Sequence, residues 1–145
     1  AIATLVKKIH DPEDIFDVNV VKAVFDKEGF ALYFSRAPIP FDRDEWKDLA
    51  GIGDWGSGIG KKTNPQPLTA NPYFKHIGIY SYRRDALLSF SKMAQEEMEK
   101  IEKLEQLRAL VNGLKIKVKE TAYETIGVDT PQDMERVKKW LSTSL

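Results

Sequence analysis

The chain has no cysteine among its 145 residues and only two histidines. Those absences remove a disulfide framework, a thiolate nucleophile and any cysteine or multi-histidine metal site, and they agree with a reducing compartment, so a cytoplasmic location is expected. There is also no excess charge of either sign, since 22 basic side chains face 22 acidic ones. Without a net positive field, non-specific attraction to nucleic acid or to an anionic membrane surface is missing, and neither is expected as a partner. No run approaches the ~20 apolar residues of a membrane helix, and the apolar stretch 2–6 is too short for a signal peptide. The chain opens at Ala1 directly into strand-like sequence. A processed initiator Met or a cut from a longer chain would each account for that start.

What is present suits one core-forming unit, 1–145, of a size that buries roughly 68–70% of its unfolded surface. Residues 20–25 and 31–34 are β-branched and aromatic runs joined by Asp26-Lys27-Glu28-Gly29, which predicts an antiparallel hairpin. Segments 74–82 and 115–119 read as further strands. A helix is expected over 96–112, with Ile101, Leu104, Leu107 and Val111 as its apolar stripe, Glu96/Lys100 and Glu99/Lys103 as i,i+4 pairs, and Gly113 as its stop. On that wheel Glu105 lies beside the stripe and Gln106 on the more polar side. A last helix opens at Thr130-Pro131, with Val137, Trp140 and Leu141 on its apolar face. Strands mixed with helices and one hairpin predict an α/β fold with a mixed sheet. Residues 51–72 hold five of the nine glycines and three of the seven prolines, and are expected to form a long exposed loop.

Gly51-Ile-Gly-Asp-Trp-Gly56 fits the spacing of a dinucleotide-binding turn, but no strand precedes it and no helix follows. Gly60-Lys61 fails as a phosphate loop, because Lys62 replaces the hydroxyl residue and Trp55 the first glycine. On a strand, His76, Gly78, Tyr80 and Tyr82 share one face and Ile77 and Ile79 the other. Gly78 would leave room between polar rings for a ligand such as a sugar; a hydrogen-bonded edge histidine with two tyrosines is the plain alternative. Arg36 and Arg43 flank the stiff Ala37-Pro38-Ile39-Pro40 connector, as forks for a carboxylate or phosphate or as partners for Asp42 and Asp44. Asp129, just before the last helix, could coordinate Mg2+ or simply favour the helix N-terminus.

The strings Asn19-Val-Val-Lys22-Ala-Val, Ala31-Leu-Tyr-Phe-Ser-Arg-Ala-Pro-Ile-Pro-Phe-Asp-Arg-Asp44, Lys75-His-Ile-Gly-Ile-Tyr-Ser-Tyr-Arg83, Ile101-Glu-Lys-Leu-Glu-Gln-Leu-Arg108 and Gly127-Val-Asp-Thr-Pro131 resemble, in this order, the C-terminal part of the 3-deoxy-manno-octulosonate (Kdo) cytidylyltransferases, the CMP-Kdo synthetases. The resemblance implies the C-terminal part of a nucleotide-diphospho-sugar transferase (Rossmann-like) fold. It implies CTP and Kdo as substrates, a homodimer, and a role in lipopolysaccharide biosynthesis. Arg36, Arg43, His76, Tyr80, Glu105 and Gln106 would line the Kdo site, and Asp129 would be one of two aspartates on Mg2+. The family's nucleotide-binding strings and its Gln-Gly-Asp-Glu-Pro segment are absent from this sequence, so the chain alone is expected to be incomplete and inactive. Activity on a related sugar acid (an amino-Kdo or a sialic acid) and a non-catalytic sugar-acid-binding or dimerisation module are the alternatives.

Overall fold

The computed structural model describes residues 1–43, 73–123 and 131–143. Along the chain run β1 (Ile2–Lys8), α1 (Pro12–Phe16), β2 (Lys22–Phe25), β3 (Ala31–Ser35), β4 (Phe74–Tyr82), α2 (Arg84–Phe90), α3 (Glu97–Glu102), α4 (Gln106–Val111), β5 (Ile116–Glu120) and α5 (Pro131–Thr143). The five strands form one sheet in the order β3-β2-β4-β1-β5. Only β1 and β5 are parallel; the other neighbours are antiparallel, so the sheet is mixed as the sequence predicts. The β2–β3 hairpin also forms where expected.

The hairpin does not lie flat. β2 meets β4 in the single registered pair Lys22 and Lys75, supported by His76 N donating to Val21 O at 2.8 Å. Its far end curls back to β5, where Phe30 bridges Lys117 and Val118 N donates to Gly29 O at 2.8 Å. Gly29 has φ +76°, and a Cβ there would stand 3.3 Å from Val118 O, so the turn needs glycine on both counts. The Lys115 and Lys117 ammonium groups lie over the Phe30 ring. The curl encloses the main core of Ile2, Val6, Ala23, Phe34, Leu104, Leu107, Ile116 and Val118. A smaller cluster of Ile9, Ile15 and Tyr73 lies under α1.

The single helix expected over 96–112 is two short helices. Lys103 adopts φ 55° and ψ 43° between α3 and α4, a left-handed conformation that costs a non-glycine residue roughly 1–2 kcal/mol. That reversal rotates the second helix relative to the first. Leu104 and Leu107 stay buried, while Ile101 is 73% exposed and Val111 also faces outward. The i,i+4 pairs are replaced as well: Glu99 is only 5% exposed and pairs with Arg108, and Lys100 pairs with Glu97. Gly113, at φ +75°, ends α4 as expected. α5 begins at Pro131, in agreement with the sequence, with Leu141 exposed and Val137 half-buried. The expected loop 51–72, Asp129 and Thr130 lie outside the described residues.

Candidate functional site: a polar face on the fourth strand

The site begins with an irregularity in β4. Thr4 of β1 pairs with Tyr80 and Leu5 with Ile77, so Gly78 and Ile79 bulge out of the ladder. Two extra residues preserve the alternation of faces, and His76, Tyr80 and Tyr82 stand opposite Val6, Thr4 and Ile2 respectively. Four residues along a regular strand would separate the His76 and Tyr80 backbones by roughly 13 Å. The bulge makes the two rings neighbours instead, with centroids 5.4 Å apart. A ladder of rings results: Phe34 to His76 at 5.0 Å, Tyr80 to Tyr82 at 5.8 Å, and Tyr82 to Phe90 at 6.0 Å.

Two expectations change here. The face bearing His76 and Tyr80 is packed against the main core; on the other face Ile77 is buried, in agreement with an apolar face, whereas Ile79 in the bulge is 58% exposed. Gly78 does not sit between polar rings. It lies in the bulge with open space where its Cβ would be.

Thr4 was not singled out by sequence, yet it organises the centre. Its Oγ1 donates within reach of Ile79 O at 2.9 Å and Ile77 O at 3.2 Å, the carbonyls that the bulge frees from the ladder. His76 Nε2 lies 3.0 Å from the same Oγ1, within hydrogen-bond distance. His76 is thereby tied to β1 through Thr4. Burial lowers its pKa to about 4, which keeps the ring neutral around pH 7.

The Tyr80 hydroxyl is buried with no hydrogen-bond partner among the described residues. Burial, then the neighbouring Tyr82, raise its pKa well above the usual tyrosine range, so it stays a donor; the approach of Thr4 offsets this only in part. Glu105 also raises both Tyr80 and Tyr82, which places its carboxylate within electrostatic reach of the ladder. Glu105 itself is exposed, with Arg108 Nη2 donating to it at 3.2 Å. Gln106 is buried, and its Nε2 also has no partner among the described residues. The expected placements of these two residues are thus exchanged, because the turn at Lys103 resets the phase of the helix.

Arg108 holds this corner together. Its Nε and Nη2 donate to the two Glu99 carboxylate oxygens at 2.8 and 2.6 Å, and its guanidinium lies 5.0 Å over the Phe90 ring at the end of the aromatic ladder. This hydrogen bonding holds the Glu99 carboxyl below its usual pKa range.

Arg36 is half-buried at the end of β3. Its Nε donates to Glu102 O and its Nη1 to Val18 O, both at 2.8 Å, so main-chain carbonyls engage it, while the alternative partner Asp44 lies outside the described residues. Arg43 is the last described residue before 44, is exposed, and lines an open cleft of about 430 Å³ with Phe41, Asp42, Tyr73 and Phe74. Asp129 lies outside the described residues. Among the described residues no three His, Asp or Glu side chains converge where a metal ion would be held, and no helix is long and apolar enough to cross a membrane.

His76 and Tyr80 on β4, with the Glu105 carboxylate within electrostatic reach, thus combine neutral donors and acceptors with one carboxylate, a mixture suited to a polyhydroxylated ligand. Comparison with known proteins gives that chemistry a context. The cytidylyltransferase family profile matches residues 1–116. The chain is 48% identical over 144 residues to a 3-deoxy-manno-octulosonate cytidylyltransferase of Solibacter usitatus (strain Ellin6076), a match covering 99% of this chain and 48% of the relative. A protein of the same description from Geobacter sulfurreducens (strain ATCC 51573 / DSM 12127 / PCA) is 49% identical over 136 residues, covering 94% of this chain and 50% of the relative. Among solved structures, a CMP:2-keto-3-deoxy-manno-octonic acid synthetase complexed with CTP superposes with a TM-score of 0.77 and 34% identity, over 99% of this chain and 50% of that one. The chain therefore spans about half the length of the relatives it matches. By sequence and by fold, it belongs to the cytidylyltransferase family.

Proposed function

We propose that this chain supplies the sugar-acid-binding part of an enzyme that transfers CMP from CTP to Kdo, giving CMP-Kdo and pyrophosphate for lipopolysaccharide biosynthesis in a bacterial cytoplasm. The observation that carries the reading is that two buried donors, Tyr80 OH and Gln106 Nε2, have no hydrogen-bond partner among the described residues, with the neutral His76 ring 5.4 Å from that of Tyr80. Buried polar atoms without partners cost about 1–3 kcal/mol each, and a ligand bearing hydroxyls would remove that cost on binding.

In this reading Arg36 and Arg43 receive the Kdo carboxylate, and His76, Tyr80, Glu105 and Gln106 bind its hydroxyls. The anomeric hydroxyl of Kdo attacks the α-phosphorus of CTP, the bond to the β,γ-pyrophosphate breaks, and the hydroxyl proton is lost to solvent. Orientation of the attacking hydroxyl is this chain's contribution. Asp129 would be one of two aspartates that hold Mg2+, the other lying in the half outside this sequence. When bound, the ion neutralises phosphate charge. Residues 1–145 would act as one unit that also carries the homodimer contact, with the CTP-binding half outside this sequence.

The test is pyrophosphate release by the full polypeptide carrying this chain, supplied with CTP, Mg2+ and either Kdo, an amino-substituted Kdo or a sialic acid. Turnover should be fastest with Kdo, and Asp129→Ala should abolish it. Faster turnover of another sugar acid would overturn the substrate, and robust turnover by Asp129→Ala would overturn the metal assignment.

A further inference from the structure

The end of β3 is clamped by a residue that does not itself belong to the polar face. Glu102 closes α3, immediately before the left-handed turn at Lys103. Ser35 Oγ donates to its Oε1 at 2.6 Å, and Arg36 N donates to its Oε2 at 3.0 Å. Its main-chain carbonyl accepts from Arg36 Nε at 2.8 Å. The clamp extends outward on both sides. Ala37 N donates to Ser35 Oγ at 3.0 Å, and the Arg36 Nη1 acceptor, Val18 O, belongs to a turn whose Asp17 O is held by the buried Lys22 Nζ at 2.8 Å.

The distribution of these bonds is informative. A structural arginine beside a carboxylate would be expected to form the two-pronged guanidinium–carboxylate pair that neutralises both. Here the Glu102 carboxylate is occupied by a hydroxyl and a backbone amide, and the guanidinium is steered only by neutral carbonyls. Of its five N–H donors, two are engaged, and three remain with no partner among the described residues. Arg36 is aimed without being discharged.

Resting on the reading that Arg36 receives the sugar-acid carboxylate, we infer that Glu102 is a positioning residue for that recognition. It fixes the Arg36 backbone and Nε so that the remaining guanidinium donors are presented to the ligand's carboxylate. Glu102 touches neither substrate; it acts through Arg36.

The experiment compares Glu102→Ala, Glu102→Gln, Arg36→Ala and the double variant in the full polypeptide, measuring kcat and both KM values by pyrophosphate release. Glu102→Ala should raise KM for Kdo about tenfold, with kcat within about threefold and KM for CTP unchanged. Glu102→Gln, which keeps an acceptor for Arg36 N, should restore most of the affinity. Adding Glu102→Ala to Arg36→Ala should change nothing further, because the two act as one unit. A merely structural role would lower thermal stability and move both KM values together. Should Glu102→Ala not fold, Ser35→Ala removes one end of the clamp and should raise KM for Kdo alone, by about threefold. If Arg36→Ala raises KM for Kdo while the clamp variants leave it unchanged, or if Glu102→Ala adds its full effect on the Arg36→Ala background, the inference fails and the proposed function stands. If Arg36→Ala itself leaves KM for Kdo unchanged, the site reading fails and the inference with it.

Discussion

Two neighbouring regions bury polar groups in opposite ways. At the α3–α4 corner, Glu99 and Arg108 satisfy one another with two short bonds, and Arg108 Nη1 contacts Met93 O at 3.4 Å in addition. By contrast, Tyr80 OH on β4 and Gln106 Nε2 on α4 are equally withdrawn from water but have no partner among the described residues. The corner has the bonding of a structural element, complete without any ligand. In the proposed reading, a bound ligand would supply the partners that these two groups lack. Burial alone would not separate the two; the state of the hydrogen bonds does.

The sharpest way to break this contrast is to disturb the corner. Arg108→Leu leaves the Glu99 carboxylate buried without its counter-charge and should lower unfolding free energy by about 3 kcal/mol in denaturant titration, the low end for breaking a buried pair. A loss near zero would make the corner as incomplete as the face. The next effect is pH-dependent. His76 has a folded pKa of about 4 against 6.5 when unfolded, so between those values the unfolded chain binds the extra proton. Stability from this group is therefore full above pH 6.5 and is lost as pH falls towards 4, by roughly 3 kcal/mol in all. Denaturation curves should show a smaller loss over that range in His76→Gln than in the parent.

A Tyr80→Phe substitution opposes stability to binding. Removing a hydroxyl with no partner among the described residues should leave the melting temperature unchanged or slightly raised, while KM for Kdo rises about tenfold. Destabilisation by 1 kcal/mol or more would mean that the hydroxyl is satisfied in the fold. The smallest effect is expected at the bulge, where a Cβ on Gly78 meets nothing within 4 Å. Gly78→Ala should stay within about 0.5 kcal/mol of the parent in the same denaturant titrations.

Much of this arrangement was legible from local sequence. The hairpin followed from two β-branched runs around Asp26 to Gly29, and β4 from its length and ring-rich alternation, because both signals depend on residues close together in the chain. The common face of His76, Tyr80 and Tyr82 was legible for the same reason. The helix break at Lys103 was not, since periodicity across 96–112 gives no sign of it. The turn is stabilised by Arg108 reaching back nine residues to Glu99, farther than any pair along one helix face. Exchange of the Glu105 and Gln106 environments follows from that one residue.

The sequence by itself determined the mixed α/β class, the strands and the chemical character of the site residues, because composition, alternation and motif order are local properties. Tertiary structure decided which of those residues became neighbours. Thr4 lies 72 positions from His76 and Glu102 lies 66 from Arg36, and neither separation leaves a mark in periodicity. The bulge that brings His76 against Tyr80 exists only in the pairing of β4 with β1, and the hydroxyl that satisfies its freed carbonyls comes from the other strand.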